Sequence, residues 1–168
     1  MNPFMLATNA YRSLRCLARA SWLKCCYGGS FSHGQHLRFR KDFFLHVGGG
    51  GSVSIGDNVF FNNGCSITSY ESVTIGDNCL FGENVKIYDH NHVFNLEDTP
   101  VGRSGFTIAP VTIGKNVWVC ANVVICKGAT IGDGSVIAAG AVVRGDVPAD
   151  SMYMNDGACT GIKRRARV

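Results

Sequence analysis

Apolar residues recur along this chain with a period of six. Ile55, Phe61, Ile67, Ile75, Phe81 and Ile87 follow one another at steps of six with one step of eight. Ile113, Val119, Ile125, Ile131, Ile137 and Val143 then keep the step of six without interruption. Four residues after most of these stands a second small or apolar residue: Val59, Cys65, Cys79 and Val85, then Val117, Val123, Ala129, Ser135, Ala141 and Val147. The spacing of inward positions therefore runs 4, 2, 4, 2. One helical face cannot produce it, because at about 100° per residue a step of six lands about 240° away. A short strand with a turn in every unit does. The turn residues lie between the apolar ones, in Gly56-Asp57-Asn58, Asn62-Asn63-Gly64, Gly76-Asp77-Asn78, Gly82-Glu83-Asn84, Gly114-Lys115-Asn116 and Gly132-Asp133-Gly134. Gly and Asn accept the left-handed backbone of tight turns. Each six-residue unit is thus one strand plus one corner. Stacked units share a narrow apolar interior and hydrogen-bond to the coils above and below. A β-sandwich shows irregular spacing near 8–12 residues and does not fit.

The ends of the chain and one internal stretch depart from the repeat. Residues 1–30 form an N-terminal segment in which Leu14, Leu17, Ala18, Trp22 and Leu23 recur at helical spacing, with Arg12, Arg15, Arg19 and Lys24 interleaved. Such a helix caps the open end of a solenoid or, alternatively, lies on an anionic membrane through residues 1–25. Residues 31–150 are the solenoid, opening with a degenerate coil around Leu37, Phe39, Phe43 and Leu45 and ending that coil in Gly48–Gly51. Residues 88–110 interrupt it, and 151–168 form a C-terminal tail with Lys163, Arg164, Arg165 and Arg167 near its end. A basic tail is a solvated end or a contact for an anionic ligand.

Composition narrows the class. With 46% hydrophobic and 17% charged residues the chain is not of the disordered type. Its 21 glycines argue against a helical bundle and are too few for collagen. A net charge of +4 does not mark a nucleic-acid binder. The eight cysteines show no CxxC pair and no zinc-finger spacing, and four of them, Cys65, Cys79, Cys120 and Cys126, occupy strand positions of the repeat. This predicts free thiols and a reduced, cytoplasmic setting. The N-terminus lacks a signal-peptide layout, since Arg12, Arg15 and Arg19 break its apolar runs.

An insertion between regular coils is a natural place for function. This one begins Tyr88-Asp89-His90-Asn91-His92-Val93-Phe94. A histidine here suits proton abstraction at neutral pH. His-x-His can also chelate a metal, although a zinc site needs a third ligand and His33, His36 and His46 precede the regular coils. Surface histidines without a role are the third reading.

The unit [Ile/Val]-Gly-x-x-[small or Val]-x resembles that of the hexapeptide-repeat acyltransferases over about residues 50–150. The stretch from Val111-Thr-Ile-Gly-Lys-Asn-Val-Trp-Val to Val143-Arg-Gly-Asp-Val-Pro148 is similar to the maltose, galactoside and lipopolysaccharide O-acetyltransferase branch. The resemblance implies an all-β fold, a left-handed parallel β-helix with three hexapeptides per coil. It implies an acetyl-CoA-dependent O-acetyltransferase acting on a sugar hydroxyl, in surface-polysaccharide biosynthesis, with no metal required. A gapless alignment puts the family's catalytic histidine on His92, with His90 as runner-up, and its acceptor-binding asparagine on Asn62. The acceptor-binding acidic residue falls on Tyr70, beside Glu71. Trp118, outward between inward Val117 and Val119 and expected at a corner, matches a tryptophan near the donor and acceptor groove. Ala121, Ala139 and Arg144 match positions lining the CoA groove, and Lys163 and Arg164 are candidates for the CoA phosphates. Members are homotrimers with sites between subunits, which suits outward Phe60, Leu80 and Trp118. The acceptor would be a sugar or lipid-linked saccharide. A γ-carbonic-anhydrase-like metalloenzyme and a non-catalytic structural β-helix are the alternatives.

Overall fold

The computed structural model describes residues 3–162, apart from the side chains of residues 3–7, 9 and 12. One helix, Pro3–Tyr27, precedes a parallel β-solenoid of about six turns. Three stacks of short strands form its walls. The first wall contains Phe31–His33, Ser52–Ile55, Ser72–Ile75, Val111–Ile113, Thr130–Ile131 and Asp146–Val147. The second contains Arg38–Phe39, Phe60–Phe61, Leu80–Phe81, Trp118–Val119, Val136–Ile137 and Ser151–Tyr153. The third contains Phe44–Val47, Ser66–Ser69, Lys86–Tyr88, Val124–Ile125 and Val142–Val143.

All twelve predicted period-six residues and all ten of their four-residue followers are buried. Like stacks on like: Ile55 pairs in register with Ile75, Ile75 with Ile113 and Ile113 with Ile131. On the second wall Phe61 stacks on Phe81 with ring centroids 4.4 Å apart, a separation typical of aromatic pairs. The coil begun by residue 31 is a full turn with Leu37, Phe39, Phe43 and Leu45 inward, more regular than its sequence suggests.

The corner residues divide two tasks. The left-handed conformation falls on the residue just before the small inward one, as at Asn58, Asn78 and Asn116, or at Gly134 and Gly140. The glycine that follows the period-six isoleucine serves close approach instead. A Cβ on Gly76 would sit 2.8 Å from the Gly114 carbonyl carbon and oxygen in the next coil. Only a hydrogen fits there.

The helix closes the first coil. Backbone groups at the end of a parallel stack have no further coil to pair with, and an open edge invites association. Cys16 Sγ donates to the Phe39 carbonyl, an Arg19 guanidinium nitrogen to the Phe43 carbonyl, and the Tyr27 hydroxyl to the Leu45 carbonyl. Cys16, Ala20 and Leu23 are buried between them. The expected apolar stripe is therefore corrected: Leu23 packs inward, whereas Leu14, Leu17, Ala18 and Trp22 face solvent. The period of 3.6 residues runs through Cys16, Ala20, Leu23 and Tyr27, and the three hydrogen bonds select that face. At the other end the second wall continues to Tyr153 and folds back, pairing Ser151–Tyr153 antiparallel with Cys159–Gly161. No helix among the described residues is long and apolar enough to cross a membrane.

Candidate functional site

The insertion leaves the solenoid intact. Val111 stacks on Val73 as though nothing intervened. Between them, His90–His92 and Phe106–Ile108 form an antiparallel hairpin that projects from the corner between third and first walls. His90 faces Ile108, Asn91 faces Thr107 and His92 faces Phe106.

Asp89 anchors this hairpin. It is fully buried, and its carboxylate accepts hydrogen bonds from the Ser69 hydroxyl at 2.6 Å, the Tyr70 N–H at 2.8 Å and the Glu71 N–H at 2.8 Å. The two backbone donors belong to the corner of the preceding coil, so the charge is offset by hydrogen bonds rather than by a cation. His90 Nδ1 lies 3.4 Å from Asp89 Oδ1, a long contact with the side able to orient the ring.

Rings collect around that anchor. Tyr70 is centred 4.6 Å from His90 and 4.4 Å from Phe106, and His92 is 4.6 Å from Phe106. His46, from the first coil, adds its ring 5.8 Å from Tyr70. His90 is half-buried within the cluster, whereas His92 is exposed. The result is an aromatic wall with two imidazoles beside it. Among the described residues no group of three or more His, Cys, Asp or Glu side chains is placed to hold a metal.

The other predicted residues fall on two separate edges. Asn62 follows Phe61 at the corner between second and third walls, where its Oδ1 accepts the Asn63 N–H at 2.9 Å. Ala121 and Ala139 follow the strands Trp118–Val119 and Val136–Ile137 at that same corner, two and three coils further along. Small residues there leave the backbone open. Arg144 follows Val142–Val143 at the corner that carries the histidine hairpin, and is exposed. Trp118 is 50% exposed on the second wall, between buried Val117 and Val119, within a strand rather than at a corner. One chain thus places the histidines on one edge and Asn62, Ala121 and Ala139 on another. Lys163 and Arg164 lie outside the described residues.

Three of the strand thiols are held away from nucleophilic use. All eight cysteines are free. Burial pushes the Cys79 thiol up to about 11 and raises those of Cys65 and Cys120. Nucleophilic cysteines are shifted the opposite way. Cys120 and Cys126 are half-buried, less enclosed than strand positions of the repeat suggested.

Sequence spacing does not single out Asp89, His46 and Phe106 as members of this cluster. The available signal was the single step of eight between Ile67 and Ile75, which lengthens the strand Ser66–Ser69 and turns Ser69 inward. Asp89 stands one coil, twenty residues, beyond it.

Two family models match the chain. One, described as bacterial transferase hexapeptide (six repeats), covers residues 110–145, and one described as hexapeptide repeat of succinyl-transferase covers residues 72–87. Among solved structures, a hexapeptide-repeat-containing acetyltransferase from Vibrio cholerae O1 biovar eltor, complexed with acetyl coenzyme A, is 27% identical with a TM-score of 0.68, over 93% of this chain and 89% of that one. A galactoside acetyltransferase in complex with coenzyme A is 34% identical with a TM-score of 0.65, over 79% of this chain and 64% of that one. A maltose O-acetyltransferase from Clostridium difficile shares the fold at 22% identity and a TM-score of 0.54, over 92% and 88% of the two chains. No curated protein matches the chain significantly by sequence.

Proposed function

We propose, from the premise that this chain is a hexapeptide-repeat protein with the fold of the acetyltransferases, that it transfers an acetyl group from acetyl-CoA to a sugar hydroxyl. The observation that carries this reading is the hairpin: an otherwise unbroken solenoid opens at one corner and holds two histidines there beside an aromatic wall. The acetyl-CoA complex of the Vibrio cholerae relative supports the donor.

In the proposed reaction His92 takes the proton of the acceptor hydroxyl as its oxygen attacks the thioester carbonyl. The new C–O bond forms, the C–S bond breaks, and the CoA thiolate receives the proton back from the imidazolium. No acyl-enzyme is needed, in keeping with the raised cysteine thiols. His90 is the second reading for the base, favoured by its contact with Asp89, since a catalytic imidazole is commonly oriented by a third group. Tyr70 and Phe106 offer a flat apolar face to a pyranose ring in place of the carboxylate that the sugar transferases present at the Tyr70 position.

We further propose a homotrimer. Phe60, Leu80, Trp118, Val136 and Met152 stack in register as an outward apolar column on the second wall, with Leu80 45% and Trp118 50% exposed. In a threefold arrangement where the histidine corner of one chain meets this wall of the next, the hairpin would lie toward the neighbour's Asn62, Ala121 and Ala139. Trp118, Arg144, Lys163 and Arg164 would then serve the CoA groove. The acceptor belongs to surface-polysaccharide assembly in this reading, and the reaction to the cytoplasm.

The test is thiol release from acetyl-CoA with a panel of monosaccharides and glycosides. His92→Ala should lower kcat about 10²–10⁴-fold, the usual contribution of a general base. Full activity in His92→Ala with loss in His90→Ala would move the role to His90.

A further inference from the structure

The N-terminal helix and the wall beside it carry a second surface that acyl transfer does not use. Of the helix's 25 residues none is acidic and four are basic, Arg12, Arg15, Arg19 and Lys24. The whole net charge of +4 therefore resides in this helix, and the remainder of the chain is balanced. On the face turned away from the solenoid, Tyr11, Leu14, Leu17 and Trp22 are each 59–66% exposed. Large apolar side chains grouped on an exposed, cation-rich helix are the composition of an interfacial helix.

An open cleft of about 900 Å³ adjoins this face, between the helix and the first coils. Arg15, Arg19, Arg38, Arg40 and Lys41 line it, and no carboxylate does. Among the described residues Lys115, with Asp77, is the lysine or arginine paired to a carboxylate, so none of the five cleft cations is neutralised that way. The four arginines are held by other means. Arg38 and Arg40 lie over the Phe60 ring, at 5.6 and 5.7 Å from its centre, and Arg15 lies 5.7 Å from the centre of the Tyr11 ring. Arg19 is tied to the Phe43 carbonyl. Five cations lining one cleft without a carboxylate among them suit a phosphate group.

We propose that this end of the molecule docks on an anionic bilayer, with the outward helix face in the interface and a phospholipid headgroup phosphate in the arginine cleft. Apolar face and cleft open beside one another, so a single approach satisfies both. The inference stands apart from acyl transfer, because it concerns neither the histidine hairpin nor the donor groove; with the outward column of the proposed trimer it shares Phe60, which there lies beneath Arg38 and Arg40.

The experiment is co-sedimentation of the full chain with phosphatidylcholine vesicles, with and without 30 mol% phosphatidylglycerol (about one lipid in three, enough for a negative surface potential). Trp22 fluorescence in a Trp118→Phe background reports insertion. Wild type should partition onto the anionic vesicles at least about tenfold more strongly than onto neutral ones, and half-molar salt should reverse this. Arg38→Gln with Arg40→Gln should weaken binding about 25-fold, as each basic residue near such a surface contributes about fivefold. Leu14→Glu with Leu17→Glu should abolish the blue shift of Trp22 while circular dichroism and Tm stay those of wild type, since neither side chain is buried against the solenoid. Equal binding to neutral and anionic vesicles, no binding to either, or full binding by both double variants would overturn the proposal. So would a fall in lipid-free sedimentation mass on Leu14→Glu with Leu17→Glu, which would make the face a protein contact. Full competition by millimolar inorganic phosphate would likewise overturn it, by showing a site for a free anion.

Discussion

Removing the Asp89 carboxylate should destabilise the protein by an amount its hydrogen bonds define. Three donors converge on it: the Ser69 hydroxyl and the Tyr70 and Glu71 N–H groups. In Asp89→Ala the Ser69 hydroxyl keeps a partner, because it already lies 3.0 Å from the Ser52 carbonyl. The two backbone donors do not, and each part-buried N–H left without an acceptor costs about 1–3 kcal/mol. The expected loss is therefore about 2–6 kcal/mol, a large fraction of the stability of an ordinary domain. Asp89→Asn retains one acceptor oxygen but must aim its amide at one of the former donors, so about 1–3 kcal/mol is expected. Urea unfolding followed by Trp fluorescence gives both values. The same variants should lose turnover more than CoA affinity, because Asp89 sets the corner on which Tyr70 and His90 sit. Stability of Asp89→Ala within about 0.5 kcal/mol of wild type, the range of an ordinary surface change, would refute the view that this carboxylate holds the hairpin to the solenoid.

Three further outcomes follow from the packing and the thiols. Gly76→Ala forces a Cβ to within 2.8 Å of the Gly114 backbone and should cost about 1–3 kcal/mol in urea unfolding. Cys79 is held at about 11 against an ordinary 9.0, so the unfolded chain gives up this proton first as pH rises. Stability is then fully present below pH 9 and falls by about 2–3 kcal/mol towards pH 11; Cys79→Val should show a correspondingly smaller drop between urea curves at pH 8 and pH 10.5. Thiol titration of the native protein should find Cys25, Cys26 and Cys159 fast and Cys16, Cys65 and Cys79 only on unfolding, with Cys120→Ala retaining turnover.

The solenoid was legible because its physical requirement is periodic. Every coil needs an inward apolar residue on each wall, so Ile113, Val119 and Ile125 announce three walls without help from distant contacts. The helix was legible as a helix but not in its orientation. Leu14, Leu17 and Trp22 look as suitable for burial as Cys16 and Ala20, and what decides is hydrogen bonding to the end carbonyls of the first coil, which no hydropathy pattern encodes. The histidine hairpin was visible as a break in rhythm. Its anchor was not, because Asp89 becomes a buried acceptor only when Tyr70 and Glu71 of the previous coil point their N–H groups at it. The ring wall of Tyr70, Phe106 and His46 assembles from three places in the chain, and sequence spacing does not bring them together.

The most direct test of the central claim is steady-state release of CoA from acetyl-CoA by wild type, His92→Ala and His90→Ala, with product identified as an acetylated sugar by mass spectrometry. The account predicts sugar-dependent release by wild type, with loss of about two orders of magnitude or more in kcat for one histidine variant whose affinity for CoA is unchanged. Sugar-dependent release at wild-type rate in both histidine variants, or no acetyl transfer to any sugar by a protein that binds acetyl-CoA, would contradict it.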